Sequence, residues 1–316
     1  MTRVLVTGAS GLLGSRVAVA LAGAGADVVR TSRRAGADVL GADLTRADEV
    51  QALVEAATPD VVVHLAGGHA SGRGAVYAAN VLPTVHLVQA VASHAPTARL
   101  VVAGSAAEYG EGAGVPLSED APCRPVNDYG RAKLAQTELA RALAIASGLD
   151  LLVVRPFNVV AHDLPVAGAL GNLRRQLLVD TGPVRRVMCG RTDVLRDYVV
   201  ADDVAGCIAQ LVLTEPSMDV VNLCSGTGVA LQEVIDAAAA ALDVDVELVR
   251  DPGLVALPAP DVVVGDPGRL ASWGLRLDGT VAAIVKALLS GAGPGGAPPE
   301  PRPSGVGGRT EGARHG

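Results

Sequence analysis

Residues 3–14 read RVLVTGASGLLG, and this stretch decides the fold. An apolar run, Val4 to Val6, is the length of a short buried strand. Gly8, Gly11 and Gly14 then punctuate a turn, and the apolar sequence LLGSRVAVALAGAG continues as a helix. Glycines at these places allow a tight turn and let backbone N–H groups at a helix N-terminus come close to a pyrophosphate. The backbone around Gly8, Gly11, Leu12, Leu13 and Gly14 is therefore the candidate phosphate cradle of a dinucleotide-binding fold.

The same alternation of strand and helix continues outward. A second strand is expected over 27–31 and a third near Val39–Leu40, with Asp43 close behind it. The runs DVVVHLAG (60–67), ARLVVAGSA (98–106) and LDLLVVRP (149–156) are the fourth, fifth and sixth strands. The fourth is continuously apolar, as a strand buried on both faces should be. Helices fill the gaps, one of them running from Asn127 to a stop at Gly148. This pattern predicts an α/β protein: a doubly wound parallel sheet (Rossmann) with a smaller C-terminal substrate lobe. The expected division gives residues 1–157 to the dinucleotide-binding domain, with 193–224 returning to it. Residues 158–192 and 225–290 form the substrate lobe, and the Gly-, Pro- and Arg-rich stretch 291–316 reads as a disordered tail.

Composition removes several functional classes. Hydrophobic residues make up 49% and charged residues 19%, so the chain builds a core. With a net charge of -7 and no basic stripe, nucleic acid is not an expected partner. No uncharged apolar run of about 18 residues predicts a membrane span, and the N-terminus goes straight into a strand rather than a signal-type apolar region. The four cysteines are widely spaced without a CxxC pair, which fits a reduced, cytoplasmic protein with no structural metal.

The end of the second strand reads RTSRR, residues 30–34. An NAD site would place an acid here for the ribose hydroxyls. Ser32, Arg33 and Arg34 stand there instead, and arginines suit a 2′-phosphate. The expected cofactor is NADPH rather than NADH.

The chain has two lysines, Lys133 and Lys286, and only four tyrosines. Tyr129 and Lys133 lie four apart at a helix start and so share a face. Ser105 ends the fifth strand. In a doubly wound sheet, strand ends and the following helix starts border one cleft, so the three side chains can converge as a catalytic group. A lysine there would lower the tyrosine pKa and reach the nicotinamide ribose, tasks for which arginine substitutes poorly. His64 and His69 are tempting as bases, but His64 ends a buried strand and is expected to be structural or near the cofactor. Trp273 and Phe157 are expected to pack, and Tyr109 to line either the sugar site or the core.

With TGASGLLG, ADL (42–44), HLAG (64–67), Ser105, YGRAK (129–133), RPFN (155–158), RDYVVADDVA (196–205) and NLCSGTGVAL (222–231), the chain resembles the extended short-chain dehydrogenase/reductases. These form the superfamily of nucleotide-sugar epimerases, dehydratases and reductases. The resemblance runs from residue 3 to about 280. It implies that Asp43, Leu44, Leu65, Ala66 and Gly67 join the cofactor site, with Tyr129 and Lys133. It also implies that Asn158, Arg175 and Arg196 bind a nucleotide-sugar substrate and that the protein is a homodimer through a four-helix contact. Dehydratases of the group carry a Thr-Asp-Glu run; here the run is Ser105-Ala106-Ala107-Glu108, and its one acid, Glu108, does not occupy the aspartate place, so water elimination is not expected. GSAAEYG is closer to the form in reductases of GDP-4-keto-6-deoxymannose, with the dTDP-4-keto-6-deoxyhexose reductases of antibiotic sugar pathways as near relatives. The expected activity is NADPH-dependent 4-keto reduction of a sugar nucleotide. The alternatives are an NAD-dependent 4-epimerase and a non-catalytic NADP-binding regulator. The loop VVAHDLP after RPFN departs from the Gly-Pro usual there.

Overall fold

A computed structural model describes residues 1–36, 38–69, 72–111, 116–179, 182–214, 219–257 and 259–291. The first half runs β1 (Arg3–Thr7), α1 (Leu12–Gly23), β2 (Asp27–Ser32), β3 (Val39–Gly41), α2 (Ala47–Ala57) and β4 (Val61–His64). It continues through α3 (Arg73–His94), β5 (Arg99–Ala103), a 3-10 turn (Ala106–Glu108), α4 (Asp128–Ser147) and β6 (Leu151–Pro156). The second half holds β7 (Asn158–Val160), α5 (Ala169–Val179), β8 (Val184–Cys189), β9 (Leu195–Val200), α6 (Ala201–Thr214), β10 (Val220–Leu223) and β11 (Gly228–Ala230). It closes with α7 (Leu231–Leu242), β12 (Asp245–Arg250), α8 (Pro252–Val255), β13 (Val262–Val263), α9 (Gly268–Ala271) and α10 (Val281–Leu289).

The central sheet is wholly parallel, in the order β10-β6-β5-β4-β1-β2-β3. Strand residues alternate between two cores, as the period of two requires. Val4, Val6, Val61, Val63 and Val101 face α1 and α6, whereas Leu5, Val62, Leu100 and Val102 face α2, α3 and α4. Both faces are covered, which explains why these strands read as unbroken apolar runs. The chain's order reverses at β1, where β2 and β4 flank opposite edges, and such a switch point opens a crevice at the strand carboxyl ends.

The smaller lobe has a sheet of β11-β9-β13 with β7 also on β9, and a two-stranded parallel pair β12-β8. Its core joins α5, α7 and α10 through Leu173, Leu177, Ile235 and Leu288. Residues 193–224 divide between the lobes. β10 adds to the central sheet and α6 packs its Val204, Ile208 and Leu211 there, but β9 sits in the small sheet, paired with β11, β13 and β7. The expected tail lies, from residue 292, outside the described residues. α3 has the length of a span and a mean hydropathy of 1.3, yet it is a core helix with Leu87, Val88, Ala90 and Val91 buried.

Candidate functional site

The glycine turn fits a dinucleotide by what it lacks. Gly8 adopts φ 68°, and a Cβ there would lie 2.7 Å from the backbone N of Ala66. A Cβ on Gly14 would lie 2.0 Å from the Gly8 carbonyl oxygen. Gly11 closes the turn by donating its N–H to Gly8 O at 2.8 Å. α1 then starts at Leu12 and Leu13 with no side-chain cap from Gly11, so its N-terminal dipole faces the turn without a built-in anion. Leu65 and Ala66 form the opposite wall, with Leu65 N–H donating to Thr7 O. Bare backbone on both sides is the cradle that a pyrophosphate needs.

At the end of β2 stand Ser32, Arg33 and Arg34, and both arginines are exposed. Ser32 Oγ bonds within the loop to Arg34 O at 2.7 Å. Asp43 faces Arg33 closely enough to feel its charge. Hydrogen bonds from Thr45 (Oγ1 2.7 Å, N 2.9 Å) hold the Asp43 carboxyl below its usual range, with Arg33 adding to the effect. Leu44 buries its side chain in the core, and its carbonyl accepts from His86.

The second part of the site forms where β5 meets the start of α4. Asn127 caps α4 by accepting from Gly130 N–H at 2.8 Å. A Cβ at Gly130 would come within 2.4 Å of Ala107 O, so the bare glycine lets the helix start close against the 3-10 turn. This approach brings Tyr129 to Ser105. Burial pushes the Tyr129 phenol up, a hydrogen bond with Ser105 pulls it down, and Glu108 pushes it up again. The downward pull thus comes from Ser105, where the sequence suggested Lys133. The reason is where the ammonium points: Lys133 Nζ donates to Ala103 O and to Gln136 Oε1 at 2.7 Å. Burial lowers Lys133 to about 8, against the attraction of Glu108. At neutral pH the tyrosine is a protonated phenol and the lysine still carries most of its charge.

Sequence reading set Glu108 aside, and the structure makes it the anchor of the site. Its Oε1 accepts from Ser105 N–H at 2.8 Å and Thr137 Oγ1 at 3.0 Å, and its Oε2 accepts from Arg155 Nε at 2.9 Å. Burial pushes its pKa up and Arg155 pulls it down. Three neighbours donate to it and none accepts from it, so the geometry holds a carboxylate. Burial works against the Arg155 charge, but Glu108 prevails and holds it firmly protonated. Arg155 also donates to Tyr109 Oη at 3.0 Å and lies over that ring. Tyr109 is therefore a core residue, its hydroxyl donating to Asn222 Oδ1 at 2.7 Å. Phe157 packs beside it, whereas Trp273 is 42% exposed.

His64 is structural. Thr84 Oγ1 donates to Asn80 O at 3.0 Å, so it accepts from His64 Nε2 at 2.8 Å, and Nδ1 accepts from Thr7 Oγ1 at 2.7 Å. Burial first, then Lys133, lowers its pKa to about 3 and keeps it neutral. Asn80, which the sequence reading missed, pins the segment that follows β4. Its Oδ1 accepts from Gly68 N–H at 3.0 Å, and its Nδ2 donates to Gly68 O at 2.9 Å. A small polar residue within an apolar helix was the available signal.

The expected substrate residues are less gathered. Asn158 and Arg196 lie on paired strands, and Asn158 Nδ2 donates to Asp197 O at 3.1 Å. Arg196 spends its guanidinium on the carbonyls of Leu195 and Pro260, both at 2.8 Å. Arg175 is exposed on α5 and bonds Asn172. Asp197 is not the partner of Arg196. It is buried, and it accepts from Ser225 N and Oγ, Gly226 N and Gly265 N, which ties β9 to the turn after β10.

Residues 4–224 match the model of the NAD dependent epimerase/dehydratase family. The chain is 30% identical over 291 residues to dTDP-6-deoxy-L-talose 4-dehydrogenase (NAD(P)(+)) of Kitasatospora kifunensis, covering 89% of this chain and 88% of that one. It is 28% identical to GDP-6-deoxy-D-mannose reductase of Pseudomonas aeruginosa (73% and 80% covered). It is 29% identical to UDP-glucose 4-epimerase of Azospirillum brasilense (74% and 75% covered). Among solved structures, RMD from Pseudomonas aeruginosa complexed with NADPH superposes with a TM-score of 0.81 at 26% identity, over 92% of this chain and 98% of that one. MoeE5 in complex with UDP-glucuronic acid and NAD gives 0.79 at 25% identity, over 90% and 96%. The chain belongs to the NAD dependent epimerase/dehydratase family, whose members here act on nucleotide sugars with nicotinamide cofactors.

Proposed function

We propose that this member of the epimerase/dehydratase family reduces the 4-keto group of an NDP-4-keto-6-deoxyhexose with NADPH. The observation that carries the reading is the state of Tyr129: a half-buried, protonated phenol hydrogen-bonded to Ser105, with the nearby carboxylate of Glu108 committed to Arg155. A protonated phenol can give a proton, as a ketone reductase requires, whereas an epimerase or dehydratase begins by taking one.

The backbone of Gly8, Gly11, Leu12, Leu13 and Gly14 would hold the pyrophosphate, and Arg33 with Arg34 the 2′-phosphate. Leu65, Ala66 and Gly67 would line the other wall, with Asp43 and Leu44 at the adenosine end. The bound nicotinamide supplies a hydride to C4. Tyr129 delivers its proton to the C4 oxygen, so that C=O becomes CH–OH. Ser105 hydrogen-bonds that oxygen and stabilises its developing charge. Lys133 would supply positive charge beneath the site and bind the ribose hydroxyls. Asn158, Arg175 and Arg196 are the proposed contacts to the sugar nucleotide, Arg196 after release from Pro260. A homodimer through α3 and α4 would cover the exposed Leu82, Leu139 and Ile145.

The test is a spectrophotometric assay of NADPH or NADH oxidation with dTDP- or GDP-4-keto-6-deoxyhexose. Oxidation that prefers NADPH and disappears in Tyr129→Phe, with NADPH binding retained, supports the reading. An epimerised sugar without net oxidation would overturn it in favour of the epimerase, a reading that the 29% identity to UDP-glucose 4-epimerase keeps in view.

A further inference from the structure

One aromatic contact in the site has no part in the reaction as described. The ring of His69 stacks on Tyr129, with centroids 4.0 Å apart and planes 25° apart. The way the chain reaches this position is built in. β4 leaves the sheet through Gly67 at φ 142° and Gly68 at φ 145°, conformations that side-chain-bearing residues rarely adopt. A Cβ on Gly67 would lie 2.6 Å from Asn80 Oδ1, so the buried Asn80 can grip the segment because position 67 is bare. The gripped turn carries His69 over the N-terminus of α4.

Tyr129 is thereby held in two ways. Ser105 bonds its hydroxyl, and the imidazole covers a face of its ring. Near-parallel stacking directs the imidazole nitrogens around the rim of their own ring, not at the phenol oxygen. The contact therefore suits holding the plane of the phenol and excluding water from its face, and does not suit taking its proton.

We propose that His69 is a positioning residue for Tyr129, its aromatic ring fixing the plane in which the phenol O–H meets the substrate carbonyl. This rests on the reading of Tyr129 as the proton donor. Misplacement of a reacting group by a fraction of an ångström to an ångström costs about ten- to a hundredfold in rate, so the effect should fall on kcat.

The experiment compares His69→Ala, His69→Phe and His69→Asn in the full chain, with Tyr129→Phe as control. His69→Ala and His69→Asn are expected to lower kcat about tenfold or more with NADPH binding unchanged, and His69→Phe to stay within about threefold of the parent. A second readout needs no substrate: phenolate absorbance followed against pH, with the Tyr129→Phe curve subtracted to isolate this tyrosine. Loss of the covering ring hydrates the phenol and should lower its midpoint in the Ala and Asn variants but not in the Phe variant. Glu108 and Lys133, the charges nearby, are the same in all of them. An Ala variant with parental kcat, or a Phe variant no better than Asn, overturns the proposal. If Tyr129→Phe itself turns over, the donor assignment has failed instead. An unmoved Tyr129 midpoint in His69→Ala then shows that the stack holds nothing.

Discussion

Replacing Glu108 by Gln keeps the shape of the side chain and removes the charge that the site is built around. Glu108 is 0% and Arg155 3% exposed, so solvent cannot take over from either partner. The carboxylate receives three donors, from Ser105 N, Thr137 Oγ1 and Arg155 Nε. An amide offers one acceptor oxygen and turns an NH2 toward groups that are themselves donors. The guanidinium of Arg155 is left with Tyr109 and the carbonyl of Glu119, neither of which carries charge. Breaking a buried pair from one side costs about 3–5 kcal/mol, a large part of the roughly 5–15 kcal/mol that holds a typical domain. The assay is urea unfolding of the full chain followed by circular dichroism. Glu108→Gln should lose about 3–5 kcal/mol. The double variant Glu108→Gln with Arg155→Met should recover much of that, because the orphaned charge is gone. A loss under about 1 kcal/mol, or losses that simply add in the double variant, would refute the account of a coupled buried pair.

Gly8→Ala should fail twice, since φ 68° and backbone atoms 2.7–2.8 Å from the new Cβ leave no room to relax; a melting temperature and dinucleotide affinity equal to the parent's would contradict the cradle. Arg33→Ala with Arg34→Ala should weaken NADPH by about ten- to a hundredfold, the worth of one or two charge-assisted hydrogen bonds. NADH should change little, and equal losses measured by fluorescence titration would mean that the loop does not read the 2′-phosphate. His64 makes stability depend on pH. Its folded pKa is about 3 and its usual value is 6.5, so between these the unfolded chain binds the extra proton. Its contribution is complete above 6.5 and lost as the pH falls toward 3, with a slope of about 1.4 kcal/mol per pH unit. His64→Gln should flatten that limb, and an unchanged slope in urea unfolding at several pH values would assign the acid sensitivity elsewhere.

The parallel sheet, the glycine turn and the shared helix face of Tyr129 and Lys133 were legible in the chain because each rests on local chemistry. Period-two burial and bare glycines before a helix leave their mark within a few residues, and Tyr129 and Lys133 stand one helical turn apart. Residues 193–224 were not divisible that way, because the assignment of β9 to the small sheet depends on pairing with β11 and β13, which come later in the chain. The role of Glu108 was equally hidden. Its partner Arg155 is 47 residues away, and only the meeting of β6 with the end of β5 turns an apparently spare acid into the fixed point for Ser105. Likewise Asp197 stands next to Arg196 in sequence but is spent on Ser225, Gly226 and Gly265. The sequence by itself determined the order of strand, glycine turn and helix and which side chains share a helix face. The tertiary structure alone decided which charges are committed, where the lysine points and what covers the phenol, since burial and distance are properties of packing between segments far apart in the chain.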